Sequence, residues 1–384
     1  MKIIILGHKR IPSREGGVEI VVEELASRMA ALGHDITVFN RKGEHVSGAE
    51  NNIIEYEKTF DYKGVRVRTI FTLPNKSLNA IVYSFFATLR ACVTKCDIVH
   101  FHAEGPCSMI PLAKVFGKKC VATIHGLDWQ RAKWGGFATR FLLFGEKMAA
   151  KCADEVIVLS TGVQEYFQKE YGRKTVLISN GITKPQICKP EEIIDRYGLQ
   201  KEEYLLFLAR LVPEKGAHTL MEAYGKSNLS IPLVIAGGGS HSGEYEKEVK
   251  ELADRINQKE GKRIILTGFI QGRILEELYS NALLYILPSE IEGMPLSLLE
   301  ALSYGNVCLT SDIIENTSVT EQYGFSFENK NVSNLCEILE KLAEEIQKAR
   351  PFTREEIQQF ILNKYNWDDV VKRTFECYES INGK

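Results

Sequence analysis

Two cations stand close together in the segment Ala209-Arg-Leu-Val-Pro-Glu-Lys-Gly216, where Arg210 and Lys215 follow a run typical of a buried strand. A guanidinium offers a rigid fork of donors and an ammonium offers a point charge, and together they suit the oxygens of a diphosphate. Ligands of open α/β sheets bind outside the carboxyl ends of such strands. Two ordinary surface charges in a solvated loop are the alternative, and the segment alone does not decide between them.

Two carboxylates frame a predicted helix start in the segment Glu292-Gly-Met-Pro-Leu-Ser-Leu-Leu-Glu300. Glycine and proline at that start leave backbone amides exposed, and the amides and the helix dipole together attract an anion. One carboxylate can then meet a sugar while the other meets a ribose. In the purely structural alternative, Glu292 is a favourable charge near a helix start and Glu300 is a helix-surface residue.

Other loops at predicted strand ends carry glycines or a histidine. Gly16 and Gly17 precede a helix, and adjacent glycines let backbone amides approach a phosphate closely. His125 can donate to a sugar hydroxyl, or it can be a histidine whose hydrogen bonds are satisfied at the strand end. Each loop taken singly is also explained as a simple turn. Two more such loops contain Asn180-Gly181 and Gly237-Gly-Gly239.

Short β-branched runs alternate with amphipathic helical patterns along the chain, which predicts a parallel α/β architecture. At 384 residues the chain exceeds the size of one hydrophobic core, so we expect two doubly wound domains. The first series of strands is predicted at Lys2–Leu6, Asp35–Phe39, Val65–Ile70, Asp97–His102, Cys120–His125, Glu155–Leu159 and Thr175–Ile178. The second series is predicted at Tyr204–Ala209, Leu233–Ala236, Arg263–Thr267, Leu284–Leu287 and Val307–Thr310.

The boundary between the two series falls at residues 183–190, where two prolines and no periodicity mark a linker. We therefore expect one Rossmann-like domain in residues 1–185 and a second in residues 190–365. Residues 366–384 form a predicted C-terminal helix, which in a protein of this type can pack back on the first domain.

Composition, charge and the apolar runs give no sign of a nucleic-acid-binding, disulfide-bonded, secreted or membrane-spanning protein. The formal net charge of -2 gives no general attraction to nucleic acid. The nine cysteines form no Cys-x-x-Cys pair, which suits reduced thiols and a cytoplasmic protein. The first apolar run is shorter than the core of a signal peptide, and no segment reaches the ~20 apolar residues that cross a bilayer.

Two local patterns leave alternatives open. Cys92, Cys96, His100 and His102 include metal-ligand residue types, but their convergence on one zinc ion would need an unusual bend, so no metal site is expected. The apolar helix candidate Asn79–Cys96 is expected to pack against a sheet, with a position on a membrane surface as the alternative.

The order and spacing of these segments resemble the retaining glycosyltransferase family 4, whose GT-B fold has two Rossmann-like domains facing a cleft. The resemblance covers essentially the whole chain. It rests on the glycine pair, the histidine-glycine strand end, Ser179-Asn-Gly-Ile182, Arg210 with Lys215, Gly237–Gly239, Thr267-Gly-Phe-Ile270 and the two glutamates with the residues between them.

The resemblance implies a role for each matching position. Gly17 would lie against the donor diphosphate, and Arg210 and Lys215 would hold its oxygens. Glu292 would meet hydroxyls of the donor sugar, and Glu300 those of the ribose. The residues with implied catalytic roles are His125, Glu292, Arg210 and Lys215, with His125 near the reacting carbon. The further implied substrate-binding residues are Gly16, Asn180, Gly239, Phe269, Gly293, Met294, Leu296 and Ser297, of which Gly239 and Phe269 would border the base.

Two stretches of the sequence resemble one subgroup of this family more closely. Residues 10–17 and 125–134 look like a bacterial subgroup that includes rhamnosyltransferases of surface polysaccharide assembly. This implies UDP- or dTDP-linked donors, dTDP-rhamnose among them, and a saccharide or lipid-linked acceptor, with peripheral contact at the inner face of the membrane. Loops near Arg14, Trp129, Arg131 and Trp134 combine aromatic faces with cations, which suit a sugar ring or a lipid phosphate of the acceptor. The alternative is that these residues simply cover a core. Met294 and Pro295 depart from the commonest family pattern, which leaves the donor sugar open.

The chain contains no Asp-x-Asp, the motif with which many other transferases hold a divalent ion on the diphosphate. We therefore expect a metal-independent enzyme without a cofactor, in which cations and a helix start meet the charge of the leaving group. The resemblance implies front-face substitution with retention. The alternatives are a nucleotide-sugar epimerase or a phosphorylase on the same fold, and a non-catalytic nucleotide-sugar-binding subunit of a partner transferase.

Overall fold

The computed structural model describes residues 1–14, 16–43, 59–74, 78–130, 135–239 and 243–383. The chain folds into two compact units. The first consists of Met1–Gly181 together with Tyr365–Lys384, and the second of Ile182–Lys364. Each unit contains one sheet flanked by helices, in agreement with the predicted α/β architecture.

The first unit contains an eight-stranded sheet. Its strands are β1 (Lys2–Leu6), β2 (Asp35–Arg41), β3 (Thr59–Tyr62), β4 (Val65–Ile70), β5 (Ile98–His102), β6 (Cys120–Ile124), β7 (Glu155–Val158) and β8 (Val176–Leu177). They lie in the order β3-β4-β2-β1-β5-β6-β7-β8, paired in parallel except that β3 runs antiparallel to β4. The order reverses between β1 and β5, so the loops after these two strands diverge and leave room for a ligand.

Helices cover both faces of this sheet. They are α1 (Gly17–Ala31), α2 (Asn79–Val93), α3 (Glu104–Cys107), α4 (Ile110–Val115), α5 (Gly136–Cys152) and α6 (Thr161–Tyr171). Because successive strand residues point to opposite faces, Ile4 joins a core with Ala87 of α2, and Ile5 joins another with Val22 of α1.

The second unit contains a six-stranded parallel sheet. Its strands are β9 (Leu205–Leu208), β10 (Leu233–Ala236), β11 (Ile264–Gly268), β12 (Leu284–Leu287), β13 (Cys308–Ser311) and β14 (Gly324–Phe327), in the order β11-β10-β9-β12-β13-β14. Its helices are α7 (Glu192–Tyr197), α8 (Ala217–Lys226), α9 (Gly243–Glu260), α10 (Arg273–Asn281), α11 (Leu296–Ser303), α12 (Ile314–Thr320), α13 (Val332–Lys348) and α14 (Arg354–Lys364). Here the strand order reverses between β9 and β12.

The last helix, α15 (Trp367–Asn382), belongs to the first unit. Its residues Val371 and Tyr378 are buried in the same core as Ile5. A Cβ on Gly181 would lie 2.6 Å from Cδ2 of Trp367, so the close approach of the helix start requires glycine there.

Every predicted strand is present, with its ends shifted by at most two residues. The edge strands β3 and β14 were not predicted. Strand β3 alternates exposed with half-buried residues, and β14 contains a glycine and a serine, so neither has a continuous apolar run. In the part of the chain that the structure describes, no helix is long and apolar enough to cross a membrane.

Candidate active site

Lys215 and Glu292 form an ion pair at the point where the strand order of the second sheet reverses. Lys215 follows β9 and Glu292 follows β12, the two strands on either side of the reversal. Their side chains are 14% and 6% exposed, respectively. The interpretation of Lys215 as an ordinary solvated charge is therefore wrong, because the pair is held largely out of water.

Backbone contacts hold the two loops of this ion pair together. The N–H of Glu290 donates to the carbonyl oxygen of Glu214 over 2.9 Å. Gly216 has φ +70°, and a Cβ there would clash with the carbonyl oxygen of Pro288. Only glycine meets both requirements, so the segment Glu214-Lys-Gly216 is shaped to lie against the loop after β12.

Glu300 is held in place by a buried tyrosine. The hydroxyl of Tyr279 lies 3.1 Å from Oε2 of Glu300 and 3.2 Å from the carbonyl oxygen of Ser297. Burial, followed by the charge of Glu300, raises the pKa of Tyr279 well above its ordinary value, so the hydroxyl remains a donor. Tyr285 contacts the side chain of Ser297 over 3.0 Å. Leu296 begins α11, and Glu300 is therefore its fifth residue.

The glycines after β10 lie against the segment after β11. Gly237 has φ +144°, and a Cβ there would clash with the carbonyl oxygen of Ala209. A Cβ on Gly238 would lie 3.2 Å from Cβ of Phe269, a residue that is 44% exposed. The N–H of Gly239 donates to the carboxylate of Glu246. The partly exposed Phe269 thus lies beside a backbone segment without side chains, at Gly237–Gly239. This arrangement suits a flat heterocycle.

The remaining predicted residues of the second unit lie in the same set of loops. Arg210 is half-buried, and the N–H of the following Leu211 donates to the carbonyl oxygen of Gly238 over 3.0 Å. Gly293 is buried and Met294 is half-buried in the loop that leads into α11. These loops therefore follow the carboxyl ends of four neighbouring strands, β11, β10, β9 and β12.

In the first unit, the glycine pair makes room for a carboxylate at the start of α1. A Cβ on Gly16 would clash with Oε2 of Glu19, while Gly17 is exposed as the first helical residue. Burial acts to raise the pKa of Glu19, but the N–H of Lys9, which donates to Oε1 over 2.9 Å, and the charges of Lys9 and His8 lower it below its ordinary value. The carboxylate of Glu19 thus already faces the positive end of the α1 dipole.

His125 lies at the end of a row of histidines along one face of the sheet. Its Nε2 is 2.9 Å from Nδ1 of His102. The ring of His100 lies 4.2 Å from that of His102 and contacts Thr123 and Tyr378, each over 2.7 Å. Burial lowers the pKa of His100 to about 3 and that of His102 well below its ordinary value, so both rings are neutral.

The four residues considered as zinc ligands have separate surroundings. Cys92 lies in the core on the opposite face of the sheet from His100 and His102, and Cys96 lies 3.8 Å from the ammonium of Lys118. Across the described residues, no group of three or more His, Cys, Asp or Glu side chains is placed to hold a metal ion.

Two buried carboxyl groups support the loop after His125. Glu104 accepts a hydrogen bond from the N–H of Asp128 over 3.2 Å, and Glu146 accepts one from the indole of Trp129 over 3.1 Å. Burial, with the charges of Asp128 and Glu146, raises the pKa of Glu104 to about 10. Glu104 is therefore protonated at neutral pH, and the hydroxyl of Tyr166 adds a donor to Glu146 over 2.8 Å.

Other predicted residues lie apart from these groups. Asn180 is buried beyond the end of β8, at the edge of the sheet and two strands from the one that precedes His125. Arg14 is exposed, and Arg131 and Trp134 lie outside the described residues.

Glu19, Glu104 and Tyr279 contact or support the predicted residues but are not among those predicted from the sequence. Glu19 had a recognisable signal, because an acidic residue in the first turn of a helix faces its dipole. Glu104 and Tyr279 had none, since their partners are distant in the sequence and only the fold brings them together.

The comparisons with known proteins cover both units. Residues 15–184 match Glycosyltransferase Family 4, and residues 190–359 match Glycosyl transferases group 1. The UDP-Gal:alpha-D-GlcNAc-diphosphoundecaprenol alpha-1,3-galactosyltransferase of Escherichia coli is 28% identical over 298 residues, which cover 73% of each chain.

Two solved structures are similar over nearly the full length. Sucrose-phosphate synthase from Thermosynechococcus elongatus has a TM-score of 0.83 at 19% identity, covering 99% of this chain and 98% of that one. Anabaena HepE in complex with UDP and glucose has a TM-score of 0.79 at 18% identity, covering 99% and 100%. The two matched regions and the two parallel-sheet domains show that the chain has the GT-B fold, and they support a glycosyltransferase of the family 4 type.

Proposed function

We propose that the chain is a retaining, metal-independent glycosyltransferase that transfers a sugar from a UDP- or dTDP-sugar to a saccharide or lipid-linked saccharide in surface polysaccharide biosynthesis. The observation that carries this proposal is the Lys215–Glu292 ion pair at the strand-order reversal of the second sheet. The largely buried Lys215 can face a diphosphate there while its carboxylate partner faces a sugar.

The surrounding loops supply the remaining contacts for a donor. Arg210 binds the diphosphate together with Lys215, and the start of α11 faces the same anion with the positive end of its dipole. Glu300, oriented by Tyr279, accepts hydrogen bonds from the ribose hydroxyls. Phe269 and Gly239 border the base. The names of the relatives support a nucleotide donor: HepE was solved with UDP, and the Escherichia coli enzyme is named for UDP-Gal.

In the proposed reaction the acceptor oxygen attacks the anomeric carbon from the face that the diphosphate leaves. The bond from the anomeric carbon to the phosphate oxygen breaks, the bond to the acceptor oxygen forms, and a phosphate oxygen takes the acceptor proton. Arg210, Lys215 and the helix start meet the charge that develops on the diphosphate, which is the role a metal ion has in other transferases.

The acceptor side of the proposal includes contact with a membrane. Helix α2 is buried along one side through Tyr83 and Ala87, while Phe85, Phe86 and Leu89 are exposed on the other. Helix α4 contacts α2 and α5, and it extends this surface. Further exposed apolar residues on α4, α5 and their ends are Val115, Phe116, Phe137 and Phe144, with the exposed cations Arg90, Lys147 and Lys151 among them. Apolar rings with flanking cations suit an anionic lipid surface.

The test is transfer with the purified chain. Labelled UDP- and dTDP-sugars, dTDP-rhamnose included, are incubated with lipid-linked saccharide acceptors in excess chelator, and NMR of the product gives its anomeric configuration. We expect transfer with retention in the presence of chelator. Inverted product would contradict retention, and activity that vanishes with chelator and returns with magnesium or manganese would contradict metal independence. Interconversion of the donor without transfer would identify an epimerase, and binding without turnover a non-catalytic subunit.

A further inference from the structure

The hydrogen bond between His102 and His125 determines what His125 can offer a ligand. Nδ1 of His102 lies 2.9 Å from Nε2 of His125. His102 is fully buried on β5, and His125 is half-buried after β6. One of the two nitrogens carries the shared hydrogen. The other accepts it, so the donor in this bond fixes which nitrogen of neutral His125 is protonated.

The surroundings of His102 show which of the two histidines donates the shared hydrogen. Burial and the neighbouring histidines lower the pKa of His102 well below its ordinary value, so its ring is neutral and has a single N–H. Its Nε2 is buried and has no hydrogen-bond partner in the described part of the chain. A hydrogen on Nε2 would be an orphaned buried donor, which proteins avoid more strictly than an orphaned acceptor. The hydrogen therefore resides on Nδ1 of His102, and Nε2 of His125 accepts it.

The residues behind His102 keep its ring in this orientation. His100 packs against it with ring centroids 4.2 Å apart. His100 is itself held from two sides, by Thr123 on β6 and by Tyr378 on α15. A rotation of the His102 ring would therefore have to displace a neighbour that is anchored to a strand and to a helix.

We propose that His102 is a positioning residue that holds neutral His125 in the tautomer protonated at Nδ1. In this tautomer any hydrogen bond that His125 donates to a bound substrate comes from Nδ1, and Nε2, whose lone pair is occupied, does not act as a base. The identity of that substrate as a sugar rests on the proposed function, whereas the tautomer does not.

The tautomer is tested by NMR of the full chain labelled with 15N-histidine, with His125 assigned by comparison with His125→Gln. We expect two-bond 1H–15N spectra of the wild type at pH 7.5 to show His125 protonated at Nδ1. His102→Leu removes the donor, and His125 should then shift to the Nε2-protonated form that free imidazole prefers. In His102→Asn the amide nitrogen replaces Nδ1, and the wild-type pattern should return. Tyr378→Phe removes one of the two hydrogen bonds of His100 and keeps the one to Thr123, so the His102 donor should stay in place and the pattern should be unchanged.

The same variants separate positioning from folding. We expect His102→Leu to lower kcat for transfer about tenfold with unchanged affinity for UDP, and His102→Asn to recover most of that loss. A wild-type spectrum with His125 protonated at Nε2, or a spectrum unchanged in His102→Leu, would overturn the proposal, as would a changed tautomer with unchanged kcat. If the wild type transfers no sugar, the proposed function fails, while the spectra still decide the tautomer.

Discussion

The ammonium of Lys215 and the carboxylate of Glu292 form an ion pair between residues that are 77 positions apart in the sequence. The pair joins two segments that the sequence presents as separate candidate sites. An ammonium has three hydrogens to donate, so Lys215 can hold Glu292 and a diphosphate oxygen at once. In the proposed reaction the pair therefore couples the position of the leaving group to that of the sugar.

Removal of Lys215 should affect both binding and stability. Lys215→Ala should weaken UDP binding by roughly 1.5 to 3 kcal/mol, as expected for a hydrogen bond to a charged group. It should also lower the free energy of unfolding by on the order of 3 kcal/mol, because a mostly buried Glu292 loses its partner. Calorimetry and denaturant titration measure the two effects.

The double variant Lys215→Ala/Glu292→Gln is the control for this prediction. It should regain most of the stability, since no unpaired carboxylate remains, but it should not regain the affinity. If Lys215→Ala has the same free energy of unfolding as the wild type, Glu292 does not need Lys215 as a partner in the folded chain, and the predicted loss of stability is wrong.

Glu292 and Glu300 should differ in what their loss impairs. Glu300→Gln should weaken UDP binding by about 1.5 to 3 kcal/mol, because the ribose contact is present with or without the sugar. Glu292→Gln should keep the affinity for UDP and lower kcat at least tenfold, because only the sugar-bearing donor meets it. Exposed Glu222→Gln is the matched control and should change neither quantity. Equal losses of UDP affinity in both variants would rule out this division of roles.

The buried carboxyl group of Glu104 should make stability depend on pH. Burial raises its pKa to about 10 from 4.5, so between these values the folded chain holds a proton that the unfolded chain has released. The free energy of unfolding therefore falls as pH rises through this window. Glu104→Gln mimics the protonated group and should raise the free energy of unfolding at pH 8 by on the order of 1 to 3 kcal/mol, with little change at pH 4.

Urea titrations at pH 4, 6 and 8 measure this dependence, with exposed Glu165→Gln as the control. The difference between Glu104→Gln and the wild type should grow with pH, while that of Glu165→Gln should not. A constant difference would mean that Glu104 is not protonated in the folded chain.

The exposed face of α2 should govern binding to lipid. Phe85→Ser/Phe86→Ser should reduce partitioning to anionic vesicles by about tenfold, since each residue is a little over 40% exposed and can gain about half of the 1.5 to 3 kcal/mol of full burial. Ile187→Ser removes an exposed apolar side chain from the linker and should leave partitioning unchanged. Partitioning is measured by vesicle sedimentation. If the wild type, Phe85→Ser/Phe86→Ser and Ile187→Ser partition equally, α2 does not contact the membrane.

The sequence predicted the strands well because those in the interior of both sheets are buried on both faces. A run such as Leu284–Leu287 is apolar throughout and is found with the predicted bounds. The edge strand β3 was not predicted because a strand at the edge of a sheet does not need a continuous apolar run. Local patterns also located Lys215 and Glu292 but not the bond between them, since no spacing rule relates residues on different loops. For the same reason the sequence presents His102 only as one of four metal-ligand residue types, whereas its partner in the fold is His125.

The return of α15 to the first unit makes the second unit an insertion in the first. Residues 182–364 form one uninterrupted stretch, so a gene fragment that encodes them contains the whole second sheet and its helices. The first unit has no such fragment. A protein cut after Gly181 would lack Val371, Tyr378 and Ile381, and the apolar residues of β1 and β5 that they cover would face water. Joining residue 181 directly to residue 365 is therefore the way to express the first unit by itself.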